Sequence, residues 1–337
     1  MSLAVIYVIV AALVTVAIGL WARPIGTTLG LLDFPDDPGG RKIHATVTPL
    51  VGGIAVTVVA VAAIAATVML GPDRGVAFNH DFARIGMAVA AMFAVGVADD
   101  RFDLSVRARL VIVAFILLVV VTTVPDCLIA FVRFGTDARI VLLGYGAIPF
   151  TLVCLVGLLN AVNMADGKNG VVIGQALVWS IFLLFHLPAA TLPAMAAIAA
   201  ALVILFIFNL RGRLFLGDGG SYAVSGLFGL LAIYCYNHAF ANVGADAIAL
   251  LFAVPVIDTL RLLVSRALQR RSPFAGGRDH FHHYLYMRVG WPRGLAVYLA
   301  LVAVPNLGAA FTGGALAWLA ATAAAYGALL VWMRPGQ

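Results

Sequence analysis

Apolar runs of about 20 residues, separated by short polar stretches, repeat from one end of this chain to the other. A run of that length crosses ~30 Å of hydrocarbon as a helix. A chain in lipid must satisfy its backbone internally, which favours helices over open strands. The pattern predicts about eleven transmembrane helices (10–11), roughly at 3–22, 49–70, 82–98, 109–125, 143–162, 170–187, 190–208, 221–239, 246–268, 294–311 and 314–333. The third run is short. The third, sixth and seventh links are brief and carry Gly, Pro, Asn or Asp, as turns do. One stretch departs from this pattern: "DCLIAFVRFGTDARIVL" (126–142) alternates polar and apolar residues and predicts a small external hairpin. There is no internal repeat and no low-complexity linker, so residues 1–337 read as a single integral membrane domain.

Composition excludes a soluble protein. The chain is 63% hydrophobic and 11% charged, with a mean hydropathy of +1.06. It is an all-α polytopic membrane protein on this reading. The first apolar run precedes the first basic residue, Arg23, so it reads as an uncleaved span rather than a signal peptide. Cys127, Cys154 and Cys235 have neither zinc-site spacing nor a disulfide framework.

Basic residues predict the orientation. Links after odd-numbered runs carry Arg23, Arg41, Lys42, Arg101, Arg107, Arg109, Lys168, Arg211, Arg213 and the series from Arg266 to Arg293. The other side carries Arg74, Arg84, Arg133 and Arg139. This bias places the N-terminus in the periplasm and the polar links, about 23–48, 99–109, 160–170, 209–220 and 269–293, in the cytoplasm. The net charge of +6 then reflects topology and anionic lipid, not nucleic acid.

Five polar clusters fall on that one side. "DFPDDPGGRKIHATVTPLVGG" (33–53) is a Gly- and Pro-rich loop whose Arg41, Lys42 and His44 suit a phosphate, or merely mark the cytoplasmic face. "ADDRFDLSVRARL" (98–110) places Asp99 beside Asp100 at the membrane boundary. Two adjacent carboxylates repel unless a cation lies between them, and Mg²⁺ binds through one or two carboxylates plus substrate phosphates. A helix cap explains one of the pair. In "NAVNMADGKNG" (160–170), Asn160, Asn163 and Asp166 are three apart and make one polar stripe on a helix, either lining a site or ending the helix in a polar turn. In "RGRLFLGDGGSY" (211–222), Asp218 stands before an apolar helix, as an N-cap or as a metal ligand beside a phosphate.

The fifth cluster, "RRSPFAGGRDHFHHYL" (270–285), holds His280, His282 and His283. Their spacing fits neither one helix face nor the usual zinc pair. Imidazoles also donate to phosphate oxygens, and Arg278 beside them favours that use. Asp258, three residues before Arg261 in the ninth run, predicts an internal ion pair, and Pro255 predicts a kink there. Together the clusters offer carboxylates for a divalent ion, cations for phosphates and amides for a polar headgroup. Such a site could join a soluble phosphate donor to a lipid phosphate.

The chain resembles the polyprenyl-phosphate N-acetylhexosamine-1-phosphate transferases (glycosyltransferase family 4), which include WecA-type and MraY-type enzymes. The resemblance covers about residues 5–290. It rests on "RKIH" with "TPLVGG", Asp99-Asp100 with Leu104, "NAVNMADG", "FLGDGGS" and the His-x-His-His of 280–283. The last element and the Pro49–Gly53 segment look more like the WecA type. The resemblance implies a phosphotransferase (EC 2.7.8.-) of the bacterial inner membrane. It would move HexNAc-1-phosphate, with GlcNAc favoured, from a UDP-N-acetylhexosamine to undecaprenyl phosphate, releasing UMP, as the first membrane step of a cell-surface polysaccharide.

The resemblance also implies Mg²⁺, or Mn²⁺ in its place, near Asp218, with Asp100 and Asn163 close by. It makes Asp99 a base or an orienting group. It sets His280, His282 and His283 on the diphosphate and the uridine along 160–170. Two features depart from the family: Asn169 stands where an Asp is frequent, and the loop before His44 is longer, which opens the question of the sugar. A homodimer, the choice of HexNAc and the polysaccharide stay open. The rival readings are a membrane transporter, an MraY-type phospho-MurNAc-pentapeptide transferase and an inactive scaffold. Against the transporter, no inverted repeat is visible and the clusters sit at one face rather than the midplane.

Overall fold

The computed structural model describes residues 2–35, 46–70, 76–135, 139–270, 272, 277 and 279–333. Arg41, Lys42, His44 and Arg278 lie outside these residues. Fourteen helices form among the described residues. They are α1 (Leu3–Leu20), α2 (Ala22–Leu29), α3 (Gly52–Leu70), α4 (Val76–Phe102), α5 (Val106–Thr123), α6 (Ala147–Ala165) and α7 (Val171–His186), followed by α8 (Leu192–Leu210), α9 (Gly217–His238), α10 (Ala245–Leu251), α11 (Ala253–Leu268), α12 (Phe281–Val289), α13 (Arg293–Thr312) and α14 (Ala315–Met333). Two short antiparallel ladders accompany them. β1 (Leu32–Asp33) pairs with β2 (Thr48–Pro49), and β3 (Phe131–Val132) pairs with β4 (Val141–Leu142), the hairpin the alternation predicts.

Among the described residues, nine helices are long and apolar enough to cross a membrane, or ten if the bent pair α10–α11 is one span. The remaining predicted run is α7, of 16 residues. It still reaches from the last turn of α8, where the Gly170 N–H meets Asn209, to the far end, where His186 lines a cavity with Gly313 and Gly314. Each of the eleven predicted runs therefore has its helical counterpart, and the protein is a multi-pass, all-α membrane protein.

Helix α9 is the axis. All 18 residues of its apolar window are buried, and it packs against α3, α4, α6 and α7. Its sequence explains this position. "GDGGSYAVSGLFG" is rich in small residues, which let neighbouring backbones approach where lipid supplies no hydrophobic drive between helices. A Cβ on Gly53 would fall on the backbone of Gly220, so α3 and α9 touch main chain to main chain at this level.

Four features differ from the sequence reading. Helix α2 forms at the start of the predicted 23–48 loop and ends at Gly30, whose φ of +69° stops it. Helix α4 extends well beyond its short apolar run, so Asp99 and Asp100 lie in its last turn and not in the following loop. Polar residues end an apolar run, but they do not end a helix when neighbouring helices partner them. Helix α12 forms inside the predicted 269–293 loop, with His280 at its N-cap and His282 and His283 in its first turn. Finally, the ninth span breaks at Phe252, bending 76°, before Pro255. The proline ring conflicts with the carbonyl four residues back, at Leu251, so the interruption precedes the proline.

Candidate active site

Helix α9 begins without a capping side chain of its own; Leu216 occupies the N-cap position. Asp100 of α4 serves instead. Its Oδ1 accepts from the Asp218 N–H at 3.0 Å and its Oδ2 from the Gly219 N–H at 3.0 Å. A carboxylate at a helix N-terminus meets unpaired N–H groups and the positive end of the dipole. Gly217 has φ +73°, and a Cβ there would press on Asp100 Oδ2, so glycine is required twice over. The turn before α9 is held from the other side by "TPLVGG". Phe215 N–H donates to Pro49 O, Gly52 N–H to Phe215 O and Gly53 N–H to Leu216 O. The second half of the first polar cluster thus frames the Asp218 turn.

Asp99 points elsewhere. Its Oδ2 takes an ion pair with Arg109 of α5 at 2.6 Å and a hydrogen bond from the Tyr222 hydroxyl at 3.2 Å. Asp218 Oδ1 accepts from Asn163 Nδ2 at 2.7 Å, and the same amide reaches Ser221 Oγ at 3.0 Å. Asp166, the C-cap of α6, faces the Asp218 and Asp100 carboxylates. Lost solvation, then those two charges, push its carboxyl well above the usual range. Among the described residues, Asp100, Asp166 and Asp218 have no ion-pair partner, so three carboxylates crowd together without a cation. No three Asp, His or Cys side chains there form a ready-made metal cage. Mg²⁺ does not need one, because it takes one or two carboxylates and completes its shell with water and phosphate oxygens. The donor set fits that ion.

The loop after α6 joins this cluster to the histidines. A Cβ on Gly167 would collide with His282 Nε2, so glycine admits the imidazole against the backbone. His282 is 1% exposed, and among the described residues its Nε2 has no hydrogen-bond partner. Burial, then the neighbouring His283 and His280, hold it well below the ordinary histidine range, so it is a neutral ring. The rings of His280 and His282 stack at 5.4 Å, and those of His282 and His283 lie 4.3 Å apart. Lys168 Nζ stands 3.6 Å from the Tyr286 ring centre. The Trp291 indole donates to Asn169 O at 3.2 Å.

The structure therefore brings Asp99, Asp100, Asn163, Asp166, Asn169, Asp218 and the three histidines to one end of the helix bundle. Asn160 bonds within its own helix, its amide donating to Val156 O at 2.8 Å. Several contributors were missed: Arg109, Tyr222, Ser221 and Asn209, which bonds both Gly170 N–H (2.6 Å) and Leu214 O (3.0 Å). Asn209 carried a readable signal, a polar residue near the end of an apolar span. Tyr222 carried none, because its partner Asp99 is remote in sequence; Arg109 stood in the same 98–110 cluster as Asp99, but the pairing depends on how α5 packs against α4. A separate cavity of about 530 Å³, lined by His186, Asp246 and Asn306 among others, lies at the opposite ends of the helices and shares none of these residues.

Residues 82–236 match the family model described as glycosyl transferase family 4. Over these residues the chain is similar to that family. It is 28% identical over 331 residues to the decaprenyl-phosphate N-acetylglucosaminephosphotransferase of Mycolicibacterium smegmatis, covering 90% of this chain and 80% of the relative. It is 26% identical over 290 residues to the probable undecaprenyl-phosphate N-acetylglucosaminyl 1-phosphate transferase of Bacillus subtilis, covering 83% and 77%. It is 28% identical over 299 residues to the undecaprenyl-phosphate alpha-N-acetylglucosaminyl 1-phosphate transferase of Yersinia pestis, covering 85% and 77%. The resemblance drawn from the five motifs is borne out.

Proposed function

We propose that this protein transfers N-acetylglucosamine-1-phosphate from UDP-N-acetylglucosamine to a polyprenyl phosphate in a bacterial inner membrane, as its relatives' names state for their lipid acceptors. The observation that carries the reading is the meeting of the carboxylate cluster at the start of α9 with the histidine turn, across Gly167. In the reaction, a phosphate oxygen of the lipid attacks the β-phosphorus of the nucleotide sugar. The bond from that phosphorus to the bridging oxygen breaks, UMP leaves with that oxygen, and the sugar keeps its anomeric oxygen and phosphate.

Two anions must meet, so the catalytic task is to offset their charge. Asp218, with Asp100 and Asn163, would hold Mg²⁺; when bound, the ion supplies positive charge to the phosphates. Of these, Asp100 gives both oxygens to the α9 N-terminus, so Asp218 is the principal ligand. Asp99 has its Oδ2 committed to Arg109 and Tyr222, which suits an orienting role better than a base. A base is dispensable, because a phosphate monoester with a second pKa near ~6 is mostly dianionic at neutral pH. The neutral His282 and its neighbours face the diphosphate, and the loop 166–170 borders the nucleoside.

Purified protein in detergent, given UDP-N-acetylglucosamine, polyprenyl phosphate and Mg²⁺, should release UMP. One diphosphate bond is exchanged for another, so labelled UMP added to the lipid product should return as labelled UDP-sugar. Release of UDP would mean attack at the sugar carbon and overturn the reading. Substrate-dependent flux in proteoliposomes without UMP release would favour a transporter.

A further inference from the structure

Asp258 lies in α11 and is 4% exposed. A buried carboxylate in a membrane span costs several kcal/mol unless it is compensated. Arg261, at 2.8 Å, supplies the opposite charge. Asp258 nevertheless has further partners on two other segments. Tyr326 of α14 donates its hydroxyl to Oδ1 at 2.7 Å, and Arg261 Nε donates to that hydroxyl at 2.9 Å, closing a triangle. The Phe281 N–H donates to Oδ1 at 3.2 Å, and His280 Nδ1 lies 3.2 Å from Oδ2. Arg261 also donates to Asp279 O, and Arg266 pairs with the Asp279 carboxylate at 2.9 Å. The whole turn from Asp279 to Phe281 is therefore fastened to α11, and α14 fastens the anchor.

The chemistry of the Asp258–His280 contact sets the imidazole. An ionised carboxylate only accepts, so the hydrogen must sit on Nδ1. Nε2 is then the ring nitrogen left for a ligand, as an acceptor when the ring is neutral and as a donor when it is charged. A carboxylate behind an imidazole fixes both its tautomer and its orientation in this way. Among the described residues His282 has no such partner; its Nε2 rests on Gly167. The adjacent histidines are thus built for different uses.

We infer that Asp258 is a positioning residue that acts through His280, holding its Nε2 toward the substrate, and that Tyr326 extends the site's frame to the last helix. The kinetic part of this inference rests on the transferase reading. The structural part does not, and the test separates them.

Asp258→Asn should lower kcat at least ~10-fold and change KM for UDP-N-acetylglucosamine by less than about threefold. In a His280→Ala background the same substitution should cost less than about twofold, because its route of action is gone. Equal losses in both backgrounds would make Asp258 a structural anchor only and overturn the inference. Tyr326→Phe removes one hydroxyl and keeps the ring, so it repeats the cycle with little risk to folding. It should lower kcat severalfold, on the order of 1 kcal/mol, and only where His280 is present. Histidine-selective ¹⁵N spectra give a readout without turnover. With its resonance assigned by loss in His280→Ala, neutral His280 should show the Nδ1–H tautomer, and Asp258→Asn should mix the tautomers. An Nε2–H ring in the unchanged protein overturns the inference, whatever the kinetics. Absence of UMP release from the unchanged protein, with the Nδ1–H form intact, would refute the transferase reading and leave the positioning geometry standing.

Discussion

Asp99 and Asp100 are neighbours in the sequence and have different roles in the structure. Successive side chains on a helix diverge by about 100°, so one reaches Arg109 and Tyr222 on one side and the other reaches the start of α9. The consequences of substitution differ accordingly. Asp218→Asn keeps an acceptor for Asn163 but removes the charge offered to a metal ion. Its rate should fall at least ~100-fold, with the thermal midpoint in detergent nearly unchanged. More than about half the activity at limiting Mg²⁺ would remove Asp218 from the metal site. Asp100→Asn replaces one accepting oxygen with a donor facing a backbone N–H. It should therefore lose stability as well as rate, by about 1–3 kcal/mol, read as a lowered midpoint.

At the scale of elements, the site depends on how closely α3, α4 and α6 approach α9. Glycine decides this in some places and not in others. Gly53 faces the Gly220 backbone, so a methyl group there must push two main chains apart. Gly157, within α6, has nothing within 4 Å of the position a Cβ would take. Gly53→Ala should thus destabilise by about 1–3 kcal/mol through overpacking, and it should also impair turnover by shifting the Asp218 turn. Gly157→Ala should be neutral or stabilising by up to about 1 kcal/mol, because alanine is the better helix former. Midpoints of both variants in one detergent check the pair, and equal losses would contradict the packing described for α9.

For the whole molecule, the decisive feature is that links far apart in sequence meet at one end of the bundle. The ends of α4 and α6, the start of α9 and the turn before α12 lie together, as alternating spans require. The bias of basic residues predicts that this end faces the cytoplasm. A cysteine placed at Ser272, with Cys127, Cys154 and Cys235 replaced, should resist an impermeant maleimide in intact cells and react after permeabilisation. Labelling from outside would reverse the orientation.

The sequence by itself determined the class of protein, its runs of membrane helix and the residue types that gather in the candidate site. Those follow from local facts: the length of an apolar run, the side on which basic residues fall, and the rarity of carboxylates and imidazoles in lipid. It also marked Asp258 as an ion-paired residue, through its spacing from Arg261. Tertiary structure alone decided the partners. Asp100 as the cap of α9, Arg109 and Tyr222 on Asp99, His282 against Gly167, and Tyr326 on Asp258 all join residues on different elements, most of them far apart in the chain. A side chain's role depends on which groups face it and exclude water from it, and that is a property of helix packing that no local pattern encodes. The same reason explains helix α12 (Phe281–Val289): the start of its first turn is held by a carboxylate on α11, which a reading of neighbouring residues does not see.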